Sequence, residues 1–382
     1  MYPAPRSTPT VICPERGADT GLLDSVAAGS ARLSPHPAVE SDQPLINPTQ
    51  TLWTPLAPLT LDWRGDAPVA RDPGDIFFST EDGLAESRYV FLGGNRLSER
   101  WPAQTTDQPF VIGEIGLGTG LNLCLTVAEW LRQRRPGATL HYVGLERAPF
   151  RPEDMCRALG HWPELTPVLN ALLARWPDPL PGCHRRCFSE WDLTLDLWWA
   201  DAADTLQDLA SHGQPWVDAW YLDGFAPSRE PGPWQQRLYD AMAGLSRAEA
   251  TFATFTAAGD VRRGLAASGF EVHKRTGFGS KREALCGTID TPHTTAPAIT
   301  PWDLHPASHT PERALILGAG LAGAHAAFAL ARRGVAVTVL EAASVAGGGS
   351  SNLQGVTYTR LSHQHNPLTD FSLAGFSFAT DH

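Results

Sequence analysis

Four acids and three glycines carry the chemistry this sequence offers. Glu114 precedes Gly116, Gly118 and Gly120 in FVIGEIGLGTG, and Glu146, Asp201 and Asp223 each end a later apolar run. Alternating glycines let a chain turn tightly, and they let a ligand approach backbone N–H groups that a Cβ would screen. A carboxylate at the end of the first run, Glu114, repels phosphate and welcomes a cation. That points to S-adenosylmethionine rather than a dinucleotide. An acid after the second run suits two ribose hydroxyls, and an acid after the third suits the exocyclic amine of adenine, a pure donor. Asp223, after the fourth, lies on the side where the reacting group must enter. Taken singly, each acid is more commonly a helix N-cap. The succession is what makes a nucleotide site, although the ribose of NAD would suit Glu146 equally.

Such a site needs a scaffold that gathers the ends of separate runs. The apolar run 110–115 is followed by LNLCLTVAEWLRQ, with Leu121, Leu125, Ala128 and Leu131 at helical spacing. Further strands are expected at 139–146, 193–201, 216–227 and 251–256. Between them come helical pieces around Pro163, a helix to about Ser211, and helices over 234–245 and 261–269. FEVHKRTGF and EALCGTI then form a closing hairpin. This alternation predicts an α/β fold, a doubly wound, Rossmann-like methyltransferase sheet with a C-terminal antiparallel hairpin. Upstream, TLWTPLAPLTLDW alternates like an edge hairpin. In residues 71–101 the aromatics are expected to cover one end of the sheet, and Ser79, Glu86, Arg88 and Asn95 to form a substrate lid or a surface loop.

Composition sets the bounds. The 382 residues allow two domains, and a net charge of −11 argues against indiscriminate polyanion binding. Residues 1–50 are rich in Pro, Ser, Ala and Thr without apolar periodicity, which predicts a disordered extension. Six cysteines are scattered; Cys183 and Cys187 form the one close pair, with no second pair to complete a zinc site, so no metal is expected. Without a long apolar run or a signal pattern, a soluble cytoplasmic protein with no membrane partner is expected.

A second glycine motif follows a Pro- and Thr-rich linker at 291–312. RALILGAGLAGAHAAFALARRGVAVTVLE reads as strand, Gly318-x-Gly320-x-x-Gly323, helix, strand and Glu341 about 20 residues on. That is a dinucleotide fingerprint in full context, with the pyrophosphate at the helix N-terminus and Glu341 at the ribose.

FFSTEDGLAESRYVFLGGN, GEIGLGTGLN, LDGFAP at 222–227, and FATFTAAGDVRRGLAASGF with KRTGFGSKREALCG closely resemble one family. It is the bacterial bifunctional enzyme of tRNA 5-methylaminomethyl-2-thiouridine biosynthesis. The resemblance implies a methyltransferase domain over 52–290 that uses S-adenosylmethionine to methylate the 5-aminomethyl nitrogen of the wobble uridine. It implies a tRNA partner, and 313–382 as the start of a flavin oxidoreductase half that holds FAD. About 70 residues are too few to enclose a flavin, so this half is expected to be truncated and its carboxymethyl-removing activity lost. The amine arrives protonated, and Asp223 is the expected base that accepts its proton. Arg262, Arg263, Lys274, Arg275, Lys281 and Arg282 gather late in the methyltransferase half, where a patch would hold tRNA phosphates; a solvated face is the alternative. Three other readings stand beside this one. They are an FAD-dependent oxidoreductase acting on a secondary amine, a small-molecule N-methyltransferase, and a non-catalytic scaffold.

Overall fold

The computed structural model describes residues 56–105, 108–212, 215–230, 232, 234–279, 281–290, 311–359 and 366–381, and the backbone of residues 10–12. Among these, the strands in chain order are β1 (Thr10–Ile12), β2 (Leu61–Arg64), β3 (Ala67–Ala70), β4 (Phe110–Ile115), β5 (Leu140–Glu146), β6 (Gly182–Phe188), β7 (Leu193–Trp199), β8 (Val217–Leu222), β9 (Ser246–Thr254), β10 (Glu271–Thr276), β11 (Glu283–Ile289), β12 (Arg313–Leu317) and β13 (Ala336–Leu340). The helices are α1 (Gly83–Ser87), α2 (Leu97–Ala103), α3 (Leu121–Gln133), α4 (Pro152–Leu159), α5 (Thr166–Leu173), α6 (Ala202–His212), α7 (Gln236–Leu245), α8 (Gly259–Ala267), α9 (Leu321–Arg332) and α10 (Pro367–Asp381), with a π-helical stretch at Arg88–Leu92. They form two compact units, Leu52–Ser308 with Tyr358–His382, and Met1–Thr51 with His309–Thr357.

The larger unit is built on an eight-stranded sheet of order β10-β11-β9-β8-β4-β5-β7-β6. Its five central strands, β9, β8, β4, β5 and β7, run parallel, while β11, β10 and β6 pair antiparallel at the two ends. All six residues of β4 are buried, as a parallel strand covered on both faces must be. The order reverses beside β4, so a crevice opens beyond its carboxyl end, between β5 on one side and β8 on the other. Apolar side chains fill both faces. Trp101, Trp130, Tyr142 and Tyr221 belong to one core, and Trp220, Tyr239, Met242 and Phe252 to the other. The hairpin of β10 and β11 is the C-terminal hairpin expected from the sequence.

One strand was not foreseen. GCHRRCF, which supplied only a cysteine pair to the sequence reading, is the edge strand β6, and Arg185 lies opposite Asp196 of β7. Two hydrogen bonds of 2.7 and 2.6 Å join them, and these bonds hold the buried Asp196 carboxyl well below its usual range against the opposing effect of burial. The polar residues of 79–95 also divide. Arg88 pairs with Glu129 and Glu164 at 3.2 and 2.7 Å, whereas buried Asn95 donates to the carbonyls of Phe91 and Trp220.

Residues 358–382 group with the larger unit rather than with the second glycine motif. Arg175 makes two hydrogen bonds to Asp381, of 3.0 and 2.5 Å, and Arg186 of β6 lies 3.5 Å from the same carboxylate, seating α10 against β6. The smaller unit is a three-stranded parallel sheet of order β1-β13-β12, with α9 crossing between β12 and β13. Strand β1 lies within the stretch expected to be disordered; the rest of residues 1–50 lies outside the described residues.

Candidate active site

The glycine loop leaves β4 and is fastened from both sides. The N–H groups of Gly116 and Leu117 donate to the Leu145 carbonyl of β5, at 3.0 and 3.1 Å. At Gly116 φ is +81°, and an added Cβ would lie 2.5 Å from the Asp223 carbonyl oxygen, so only glycine fits there. Glu146, at the end of β5, accepts from the N–H of Gly118 at 2.9 Å and from that of Ala148 at 2.9 Å. Burial raises its proton affinity, opposed by those backbone donors. Gly120 then turns the chain into α3, and it lies off the cavity wall.

Beyond the loop lies a cavity of about 760 Å³, walled by Gly116, Gly118, Asn122, Glu146, Asp201 and Asp223 among others. Asp201 lines it while its Oδ1 also accepts from the Asp204 N–H at 3.0 Å, so the N-cap role and the wall position coexist. Glu114 is placed differently from its sequence reading. It is 0% exposed and sits behind the wall, under α3, because its position on β4 faces the helix rather than the crevice.

What reaches the cavity from there is Asn122, a residue the sequence did not single out. Its Nδ2 donates to Glu114 Oε1 at 2.8 Å and to Asp223 Oδ2 at 2.6 Å, and its Oδ1 accepts from the Ser87 hydroxyl. Tyr142 donates to the other Glu114 oxygen at 2.7 Å. Burial, and then the charge of Asp223, push the Glu114 pKa well up. Asp223 itself is pushed up to about 7. Desolvation drives this, and the Asn122 hydrogen bond and the charge of Lys281 only partly offset it. A carboxylate that titrates near neutrality inside a cleft is equipped to take and release a proton there.

The rim is aromatic. Phe77 packs edge-on against Phe150 and Phe225, with centroids 4.7 and 5.0 Å apart, and Asp75 Oδ2 accepts from the Ala226 N–H at 2.9 Å. The segment before α1 is thereby tied to the loop after β8. Ser79 and Glu86 line the cavity.

The six late cationic residues are spread over α8 and the hairpin. Arg262 and Arg263 are on α8, where Arg263 pairs with Asp260. On the hairpin, Lys274 pairs with Glu283 at 2.8 Å and Arg275 lies over the Tyr89 ring at 4.1 Å. Arg282 is exposed beside Lys281, which alone of the six lines the cavity. Among the described residues no cluster of His, Cys, Asp or Glu could hold a metal ion, and no helix is long and apolar enough to cross a membrane.

In the smaller unit the second glycine motif is formed as a dinucleotide cradle requires. Gly318 has φ +98° with open space where a Cβ would stand, and Gly323 lies against the Gly318 carbonyl. Glu341, after β13, accepts from the N–H groups of Ala319 and Ala343, at 2.8 and 3.1 Å. Gly318, Gly320, Gly323 and Glu341 thus fit the adenosine diphosphate part of FAD.

A family model described as S-adenosyl-L-methionine-dependent methyltransferase matches residues 163–290, and one described as FAD dependent oxidoreductase matches residues 313–380. The tRNA 5-methylaminomethyl-2-thiouridine biosynthesis bifunctional protein MnmC of Chromohalobacter salexigens is 46% identical over 330 residues, 85% of this chain and 46% of that protein. The same-named protein of Aeromonas hydrophila is 44% identical over 326 residues, 84% of this chain and 48% of that protein. The chain therefore spans about half the length of these relatives. Among solved structures, MNMC2 from Aquifex aeolicus aligns over 65% of this chain and 75% of its own, at 19% identity and a TM-score of 0.49. Over most of its own length this chain is homologous to the tRNA 5-methylaminomethyl-2-thiouridine biosynthesis bifunctional proteins, and it carries an S-adenosyl-L-methionine-dependent methyltransferase domain followed by an FAD dependent oxidoreductase segment.

Proposed function

We propose that the larger unit methylates the primary amine of 5-aminomethyluridine, or its 2-thio form, at the wobble position of tRNA. The observation that carries this reading is Asp223, a carboxylate with a pKa near 7 held by Asn122 in the cleft beyond the glycine loop. S-adenosylmethionine supplies an already activated methyl group. The protein's share is to bring the amine to it deprotonated and in line. Asp223 accepts the ammonium proton and aims the nitrogen, while Glu146 and Asp201 take the ribose and adenine ends of the nucleoside, as their positions on the wall allow. Glu114 supports this wall through Asn122 instead of touching the ligand. The name of the relatives supplies the nucleoside and the tRNA; the acidic cleft agrees with a cationic amine.

The test is methyl transfer from labelled S-adenosylmethionine to tRNA carrying the 5-aminomethyl wobble uridine. The Asp223→Asn chain is expected to lose at least about 100-fold in kcat, the scale of a positioned general base. Its S-adenosylmethionine binding, followed by calorimetry, is expected to stay within a few-fold. Near-normal turnover in that variant would reject the role of Asp223. Transfer to small alkylamines but not to tRNA would favour a small-molecule enzyme.

A further inference from the structure

Lys281 and Glu86 stand in the same cavity as Asp223 but take no part in fastening the glycine loop. Lys281 Nζ lies 2.7 Å from Glu86 Oε1 and 4.5 Å from the centroid of the Phe255 ring. The ammonium is therefore held by a carboxylate and by an aromatic face. The Glu86 side chain is 10% exposed and that of Lys281 45%, so the lysine is the more accessible partner. A lysine has three N–H donors and a carboxylate about four acceptor positions, so neither group is exhausted by the other.

A phosphate is a poor match for this lysine. It would meet the charges of Glu86 and Asp223 as well, and like charges at such range repel. A neutral, planar group that offers an acceptor next to a donor matches an ammonium next to a carboxylate. Uracil offers that pattern at O4 and N3–H, and C4 is bonded to C5, the carbon that bears the aminomethyl group. A base whose amine nitrogen sits at Asp223 thus carries this edge nearby within the same cavity. Glu86, Lys281 and Asp223 line one cavity, and the charges of the first two act on the third.

We infer that the Lys281–Glu86 pair reads the base edge of the substrate uridine, the ammonium donating to O4 and the carboxylate accepting from N3–H. This rests on the tRNA reading above. Cytosine presents the reverse pattern, an amino group at C4 and a bare N3, so both contacts fail together. Phe255 acts through Lys281 and is a positioning residue.

The experiment compares two anticodon stem–loop RNAs, one with 5-aminomethyluridine and one with 5-aminomethylcytidine at the reacting position. Each is methylated by the wild-type chain, by Lys281→Met and by Glu86→Gln, with S-adenosylmethionine binding as the check on folding. The wild type is expected to prefer uridine by roughly 5- to 150-fold in kcat/KM, the range for one two-point base contact. Each variant is expected to lose most of that preference, largely through KM for the uridine RNA, with the salt dependence of KM unchanged. Equal use of the two RNAs by the wild type would overturn the inference, as would variants that keep the full preference. A fall of about one unit in the salt slope for Lys281→Met would assign the lysine to a phosphate, which also overturns it. If the wild type binds S-adenosylmethionine and methylates neither RNA, the tRNA reading fails, and the base-edge contact fails with it.

Discussion

Glu146 and Glu341 do the same local work in two different units. Each follows the second strand of a strand–helix–strand repeat, and each accepts one N–H from the glycine loop and one from two residues further along its own chain. Their proton affinities nevertheless move in opposite directions. Glu146 is raised because burial outweighs its hydrogen bonds, whereas Glu341 is lowered because its hydrogen bonds outweigh what little burial it has. The larger unit surrounds its acid with two full cores, while among the described residues of the smaller unit the core is a few side chains, Ala319, Ala327, Ala331, Val335, Val337 and Val339. Hydrogen-bond geometry thus comes with the local motif, and the electrostatics of the acid come from the mass of protein packed around it.

The strongest way to break this comparison is at the glycines. Gly116→Val is expected to abolish S-adenosylmethionine binding and to destabilise the larger unit by about 3 kcal/mol or more, through both a positive φ and a backbone clash. Gly318→Ala meets open space and is expected to cost only the left-handed backbone penalty, about 1–2 kcal/mol. Thermal unfolding followed separately in the two units checks the difference, and equal costs would refute it.

Next in size is Asp223. Its raised pKa means that the folded state binds more protons than the unfolded one between the ordinary value of 3.8 and about 7. Stability therefore falls as pH rises through that window, and the deficit is fully present above it. Asp223→Asn removes the deficit and is expected to stabilise the chain at pH 8 by on the order of 2–4 kcal/mol, while transfer is lost. Equal melting temperatures of the two chains at pH 8 would show that the carboxylate is not desolvated. In the wild type, kcat/KM is expected to rise with pH through about 7, because only ionised Asp223 accepts a proton. A flat profile from pH 6 to 8 would exclude it as the base.

The smallest contrast concerns the two acids themselves. Glu146→Gln, which leaves one acceptor for two backbone donors, is expected to weaken S-adenosylmethionine binding about tenfold or more. Glu341→Gln is expected to leave methyl transfer unchanged. The sign of the pH effect also differs. Ionising Glu146 weakens the folded state as pH rises above 4.5, whereas Glu341 contributes stability above 4.5 that is lost as pH falls through its lowered value.

Much of this was legible because it is periodic. The parallel strands, their glycine loops and the acids at their ends all follow from short-range pattern, and the sheet's closing hairpin did too. Asn122 was not legible, since its partner Asp223 is 101 residues away and a polar residue in the first turn of a helix carries no signal of its own. The burial of Glu114 was equally hidden, because strand sequence does not say which face of β4 meets the cavity. Strand β6 is hidden in the sequence because Arg185 and Arg186 break its apolar alternation, and their partners, Asp196 on β7 for Arg185 and the Arg175 carbonyl and Asp381 for Arg186, lie elsewhere in the chain. The basic residues were read as a group from their closeness in sequence, yet Lys281 turns into the cavity while Lys274 pairs along the hairpin.

The seating of α10 on β6 has a practical outcome for anyone who shortens this chain. Ending it after residue 357 would remove Asp381 and leave Arg175 and Arg186 without that anionic partner. The outer rail of β6 would lose its guard, and bare sheet edges adhere to one another. Such a shortened chain should form strand-paired dimers or aggregates as its concentration rises, while its catalytic cleft remains intact.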